Sequence, residues 1–502
     1  MRDRVAWAPV SSVSEPAQAP SAPGIRALAS PSARGRLAQI GLVAAGAAAL
    51  RLITGVGFAN YDTLYALTWG GQLARGHTPT YDVPIAPTPH PLLEALGLVL
   101  APLGPHGAEQ VTVALGFIAL SACGLVVYRL GAEWFGRAAG ALAALVLLTR
   151  VPLLSYGVRA YADVPYLALV LGALLLETRR ARAGAPVLAL LGLAGLLRPE
   201  AWFFSAAYWL YLAYPPAARA DAPRLARLAL LGAAAPVVWL ASDLAITGDP
   251  LWSLTHTRHT AHALRRVTGI ANVPEYIPRR IGEILRPPVL AGAAVGGVLS
   301  LAWLRRRALP GALAGSLAVL VFAVLATAGL SINTRYAFPA AAILSVFCGA
   351  GAFGWTRMTP GERGRSAWIA LGGAVLVALA AYVPSQYHAA HKELHKLERQ
   401  QSIQADLRAL VASHAINLRC GPIGVPNHAP IPLLALYLKT GPEHVISAQV
   451  SAVSSGEYLD PASKDVEESY VLDPHDPYLP TSVPPGFREV AANRSWLIFQ
   501  RC

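Results

Sequence analysis

Between residues 37 and 383, apolar runs of bilayer-crossing length follow one another with only short polar breaks, and many of the breaks carry clustered arginines. A run of about 20 apolar residues buries its backbone amides in lipid only as a helix or inside a closed barrel, and unbroken runs of this kind favour helices. The chain is therefore expected to be a polytopic α-helical membrane protein. With 54% hydrophobic and 14% charged residues and a mean hydropathy of +0.44, it is not a soluble enzyme with one large core. The formal charge of +13 does not point to nucleic acid, because no basic stripe is interleaved with aromatics. Short basic clusters between spans are what cytoplasmic loops carry against anionic lipid.

That bias orients the chain. Arg34 and Arg36 keep the start of the first span, 37–58, in the cytoplasm and send Asp62 outside. Residues 1–36 read as a disordered cytoplasmic extension, since no apolar stretch follows a short basic start as in a signal peptide. The run 92–103 is short for a crossing and is placed as an interfacial or re-entrant helix. Spans then follow at 108–131, 138–156, 164–176, a short pair 186–197 and 201–214 broken by Arg198-Pro199-Glu200, 228–247, 288–304, 312–330, 337–354 and 367–383. About 11 transmembrane helices are expected, in the plasma membrane, with long external loops at 59–107 and 248–287. A short helix from Asp62 to Arg75 is expected to lie on the outer surface. After Pro384 the composition becomes that of a soluble domain, and 384–502 reads as a small extracytoplasmic α/β domain. Its elements are a helix at 388–413, strands at 416–425 and 445–450, a helix at 431–438 and a closing strand around Trp496-Leu497-Ile498-Phe499.

Polar groups at the ends of spans are the candidates for chemistry, because a charge near the bilayer is costly unless solvated or used. Asp62 stands in Asn60-Tyr61-Asp62 just past the first span, and Asp163 in Arg159-Ala160-Tyr161-Ala162-Asp163-Val164-Pro165. Each is either a site carboxylate or the cap of its helix. Arg335 and Tyr336 occupy a very short external turn, as site groups or as a snorkelling interface arginine with its neighbour. Arg198 and Glu200 either reach the same cavity or form an internal ion pair fastening the two short helices. A carboxylate can take a proton from a hydroxyl nucleophile, and an arginine can hold a phosphate through parallel hydrogen bonds. The external arginines of 248–287, Arg258 among them, run against the inside bias and invite an anionic ligand. His256, His259 and His262 have a spacing seen at metal sites, but no carboxylate accompanies them. Four cysteines are too few for a disulfide scaffold; Cys123 and Cys348 lie in apolar runs, and Cys420 and Cys502 are a possible disulfide if the tail is external.

The order of these features resembles the GT-C superfamily of membrane glycosyltransferases that use polyprenyl-phosphate sugars, related to the protein mannosyltransferase and lipid A aminoarabinose transferase families. The pieces are Tyr61-Asp62, His90-Pro91-Leu92-Leu93, Tyr128-Arg129-Leu130 to Phe135-Gly136-Arg137, Arg159 to Pro165, Leu197-Arg198-Pro199-Glu200 and Thr334-Arg335-Tyr336-Ala337-Phe338-Pro339-Ala340, over residues 37 to about 355. The resemblance implies a GT-C fold and an inverting sugar transfer. It implies Asp62 as the general base, Asp163 as a second acid and Arg335 at the donor phosphate; Tyr336 beside it and the loop arginine Arg258 are the further candidates for that phosphate. Arg159, Arg198, Glu200 and His90 would be cavity or structural residues. Thr63 departs from the pattern, since an acidic residue often follows the first aspartate there. Some relatives use a divalent metal such as Mg or Mn, for which no ligand set is complete here. The implied partners are a polyprenyl-phosphate-linked sugar and membrane lipids; the acceptor, a lipid, polysaccharide or protein, stays open. A transporter or flippase of a lipid-linked sugar is the rival reading, and a catalytically inactive scaffold a third.

Overall fold

The computed structural model describes residues 33–214, 221–471 and 482–502. Most of the extension expected over 1–36 lies outside the described residues. Helix α1 (Ala33–Thr54) ends in a short extended stretch whose amides pair with a distant segment: Phe58 N–H donates to Val158 O at 3.2 Å and Asn60 N–H to Arg159 O at 2.9 Å. This pairing brings the starts of two later helices together.

Helix α2 (Tyr61–Ala74) matches the expected short helix, yet it does not lie on the surface. Every residue from Thr63 to Gln72 is buried. Its cover is the C-terminal domain, whose Ile403, Leu433 and Trp496 share a core with Tyr65, Trp69 and Tyr81. Burying Leu64 and Leu67 there contributes about 1.5–3 kcal/mol each. On its other side α2 meets α3 (Pro91–Leu100) so closely that a Cβ on Gly70 would stand 2.5 Å from the Gly97 carbonyl carbon.

A single 3₁₀ turn, Ala101–Leu103, leads into α4 (Gly104–Phe135), which contains the expected second span. The expected span 138–156 is instead two helices, α5 (Arg137–Leu148) and α6 (Val151–Val158), bent by 65°. Pro152 sits in the first turn of α6, where a proline costs no helix hydrogen bond, and Arg150 ahead of it is extended. The Arg150 side chain caps the break, donating to Val146 O at 2.9 Å and Leu285 O at 3.1 Å.

The chain continues through α7 (Asp163–Arg179), the short pair α8 (Ala185–Leu197) and α9 (Glu200–Ala213), and α10 (Ala222–Thr247). The stretch 248–287, expected as a loop, is mostly helical. It holds α11 (Trp252–Ala263) and the first half of α12 (Val273–Trp303), which kinks at Arg286, where φ is 66° ahead of Pro287 and Pro288. Then come α13 (Arg305–Thr327), a 3₁₀ turn Thr334–Ala337 and α14 (Phe338–Phe353).

Two helices were expected on either side of Pro384; the structure has one, α15 (Arg365–Ala412), of 48 residues. It carries the chain from the bundle into the C-terminal domain. There β1 (Ile423–Val425), α16 (Ile431–Leu438), β2 (Val445–Ser447), β3 (Gly456–Pro461), β4 (Arg488–Ala492) and β5 (Trp496–Arg501) build a sheet of order β2-β1-β3-β5-β4. Strand β1 runs parallel to β2 and β3, and β5 antiparallel to β3 and β4. Strands β3 and β4 were not anticipated. Cys420 and Cys502 are disulfide-bonded, with Cα atoms 5.2 Å apart.

Among the described residues seven helices are long and apolar enough to cross a membrane, or eight if the bent α5–α6 pair is one span. The expected count of about 11 is not reached on that measure. Helices α7, α8 and α9 have only 17, 13 and 14 residues.

Candidate active site

Asn60 caps α2, its carboxamide oxygen accepting from Asp62 N–H at 2.7 Å and Thr63 N–H at 3.2 Å. Asp62 is therefore not the cap. Its carboxylate sits in the first turn, where the helix dipole favours negative charge, and is free to face the cavity. The Asn60 side-chain amide also donates to Arg159 O, and the Thr63 hydroxyl to Ala160 O at 2.7 Å. Those bonds bind the start of α2 to the segment that opens α7. Asp163 is the first residue of α7, after Ala162 in the cap position, and its side chain is 2% exposed.

A ladder of charges follows. Arg335 Nη1 lies 3.0 Å from Asp62 Oδ2 and 4.0 Å from Asp163 Oδ2. Arg198 Nη1 lies 2.8 Å from Asp163 Oδ1, and Arg198 Nη2 lies 2.6 Å from Glu200 Oε1. The Tyr336 ring stands beside both guanidiniums, 4.9 Å from that of Arg198 and 5.8 Å from that of Arg335. Arg198, Asp163 and Glu200 are buried and ion-paired, though Glu200 Oε2 has no hydrogen-bond partner among the described residues. Arg335 and Asp62 are about a fifth exposed.

That exposed end opens into a cavity of about 330 Å³. Asp62, His90, Arg198, Glu200, Arg335 and Tyr336 line it. His90 lies against Trp239, edge to face at 5.9 Å. Burial, aided by Arg198 nearby, pushes its imidazole down to about 3, so it faces the cavity neutral.

Two expected residues are elsewhere. Arg258 lies on α11, is exposed, and donates to the Ala328 carbonyl; Arg266 lines the cavity in its place. Arg159, expected as a cavity or a structural residue, lies outside the cavity, its guanidinium donating to the Ser155 carbonyl at 3.2 Å and hydroxyl at 3.0 Å, and lying over the Tyr161 ring. The disulfide belongs to the C-terminal domain. Of the three histidines, His256 meets the Ala86 carbonyl at 3.2 Å. Among the described residues no group of three or more His, Cys, Asp or Glu is placed to hold a metal ion. Both central carboxylates are already met by guanidiniums.

Residues missed in the sequence stand in the walls, as Asp243 and His428 do, or behind them, as Glu94 does. Asp243 holds the Ser253 amide and hydroxyl, both at 2.9 Å, and that hydroxyl accepts from Trp239 Nε1 at 2.9 Å. Glu94 accepts from Tyr81 at 2.5 Å and from His90 N–H at 3.1 Å. His428, from the C-terminal domain, covers Tyr61 edge to face at 5.3 Å. A carboxylate within an otherwise apolar run was the available signal for Asp243 and Glu94.

This fold has a counterpart among solved structures. The chain is similar to ArnT from Cupriavidus metallidurans, in its crystal structure bound to undecaprenyl phosphate, with a TM-score of 0.56 at 15% identity, over 93% of this chain and 98% of that one. The apo oligosaccharyltransferase of Archaeoglobus fulgidus is matched at a TM-score of 0.49 and 11% identity, over 86% of this chain and 69% of that one. The oligosaccharyltransferase AglB of Archaeoglobus fulgidus, in complex with an inhibitory peptide and a dolichol-phosphate, is matched at 0.47 and 12%, over 82% and 64%. No protein-family model and no curated protein matches the chain.

Proposed function

We propose that this protein is an inverting glycosyltransferase that moves a monosaccharide from a polyprenyl-phosphate donor to an acceptor hydroxyl on the external face of the membrane. The observation that carries the reading is the Asp62–Arg335 pair at 3.0 Å on the rim of a cavity, with one carboxylate and one guanidinium turned toward the same space. The similar fold whose crystal structure contains undecaprenyl phosphate supports the donor class. The N-terminus is cytoplasmic and the C-terminal domain external in this reading.

Donor phosphate competes with Asp62 for Arg335, because a phosphate offers the guanidinium more oxygens than one carboxylate edge. Asp62, released, takes the acceptor hydroxyl proton as that oxygen attacks the anomeric carbon from the face opposite the phosphate. The bond from anomeric carbon to phosphate oxygen breaks, and the polyprenyl phosphate leaves with the electron pair against Arg335, with Arg266 on the same wall. Asp163, held by Arg198, positions Arg335 from below. The half-enclosed walls limit water and so limit hydrolysis of the donor.

A transporter needs a polar route from this cavity to the arginine-rich end. Beneath Arg198 and Arg335 the space narrows to about 10 Å³ between Phe204, Phe322, Leu325 and Pro339, which favours the enzyme. The test is transfer by the purified protein from a panel of radiolabelled polyprenyl-phosphate monosaccharides into membrane extract, beside Asp62→Asn. Transfer by the wild type that the folded variant lacks supports the proposal. No transfer from any donor turns the reading toward transport.

A further inference from the structure

A second cavity, of about 680 Å³, lies at the opposite end of the bundle, between α7, α8, α9 and α13. Its walls are apolar, with Leu171, Leu174, Ala318 and Ile343 among them, and it opens sideways past Leu313, which is 62% exposed. Its volume is that of an ordinary ligand site. Its rim differs from its walls. Arg306 and Arg307, both exposed at the start of α13, line it, and the Arg306 guanidinium makes no hydrogen bond or ion pair among the described residues.

The acidic groups of the same rim are already engaged. Glu133 bridges to Arg179 at 3.0 Å. Glu177 accepts from Tyr208 at 2.6 Å and from Arg182 N–H at 2.7 Å. The Arg182 guanidinium is occupied by the Leu212 and Tyr214 carbonyls and lies 4.6 Å from the Tyr211 ring centre. The surplus charge facing the opening is positive and comes from Arg306 and Arg307.

We infer that this cavity is a binding site for an anionic phospholipid, with an acyl chain among α7, α9 and α13 and the phosphate against Arg306 and Arg307. A basic rim over an intramembrane apolar pocket at the arginine-rich end is the arrangement that selects anionic headgroups. The site is separate from the polar cavity. Phe204, Ala318 and Pro339 line both this cavity and the narrow space beneath Arg198, so they form the partition between the two.

The test is native mass spectrometry of the full chain in detergent, titrated with phosphatidylglycerol or phosphatidylcholine, with thermal unfolding as the check on fold. The wild type retains phosphatidylglycerol in preference to phosphatidylcholine. R306Q/R307Q loses phosphatidylglycerol affinity by about thirtyfold, two basic contacts at the membrane surface. R305Q, at a residue that does not line the cavity, leaves it within a few-fold. Ala314→Phe, which fills the opening, weakens binding without changing rim charge. Equal binding of phosphatidylcholine, or full retention of phosphatidylglycerol by the folded double variant, overturns the inference. Displacement of phosphatidylglycerol by undecaprenyl phosphate from the wild type also overturns it, since the occupant is then a polyprenyl chain.

Discussion

Arg335, in the turn before α14, and Asp62, in the first turn of α2, lie 273 residues apart in the chain and meet at 3.0 Å. Asp62→Asn keeps the shape of the carboxylate and removes the proton acceptor. Transfer is expected to fall by about 10²–10⁴. Polyprenyl-phosphate binding, read by equilibrium titration, holds or tightens, because Arg335 no longer faces a competing charge. Arg335→Lys keeps one charge but loses the fork, so donor affinity falls. A folded Asp62→Asn protein that transfers at the wild-type rate removes Asp62 from its role.

Arg198 is the cation paired with two buried carboxylates at once. Arg198→Met leaves Asp163 and Glu200 without their cation, and such a loss costs roughly 3–5 kcal/mol. The readout is a lowered thermal unfolding midpoint in detergent. Changing Asp163 and Glu200 to their amides in the same background restores part of that loss. An unchanged midpoint for Arg198→Met excludes the ladder as a structural support.

Glu109 on α4 is 1% exposed in its side chain and accepts from Arg408 on α15 at 2.9 Å and from Tyr437 on α16 at 2.7 Å. It fastens the C-terminal domain to the bundle. Glu109→Gln is expected to speed amide hydrogen exchange in α2 and α16 while leaving β3 and β5 protected. Faster exchange spread through the whole sheet contradicts a docking role.

Acid and base act on different groups. The His90 imidazole has a folded value of about 3, below its unfolded value of about 6.5, so the unfolded chain binds the extra proton and stability declines as pH falls below about 6.5. Asp460 on β3 runs the other way. Burial, with Glu467 second, raises its carboxyl to about 6, so the folded chain holds the proton and stability declines as pH rises from about 4 through 6. Asp460→Asn is expected to raise the unfolding midpoint at pH 7.5 and leave it unchanged at pH 4. A larger gain at pH 4 than at pH 7.5 contradicts that sign.

The sequence carried α2 and α16 nearly to the residue, because each is an apolar patch between strong breaking signals, Gly76 after the first and Gly441 after the second. It did not reveal α11, whose polar and histidine-rich surface has no apolar stripe to set a period. Pro384 suggested a boundary, yet α15 passes through it: an interior proline costs a helix one hydrogen bond and can kink it without ending it. In the site, charges at span ends were legible and charges within apolar runs were overlooked, Asp243 and Glu94 above all. Charge alone does not tell Arg258 from Arg266; which arginine of a helical segment turns toward a cavity depends on packing, and Arg266 is the one that lines it.

The unbroken course of α15 makes it a phase lock between bundle and roof. At 48 residues it is about 72 Å long, more than twice the bilayer core, so rotation at its membrane end is transmitted to the domain that presents His428 over Tyr61. One alanine inserted after Gln386 turns everything beyond it by roughly 100°, which strips His428 from the cavity and Arg408 from Glu109 together. Small changes in the register of this single helix therefore open or close the site more completely than losing any one contact within it.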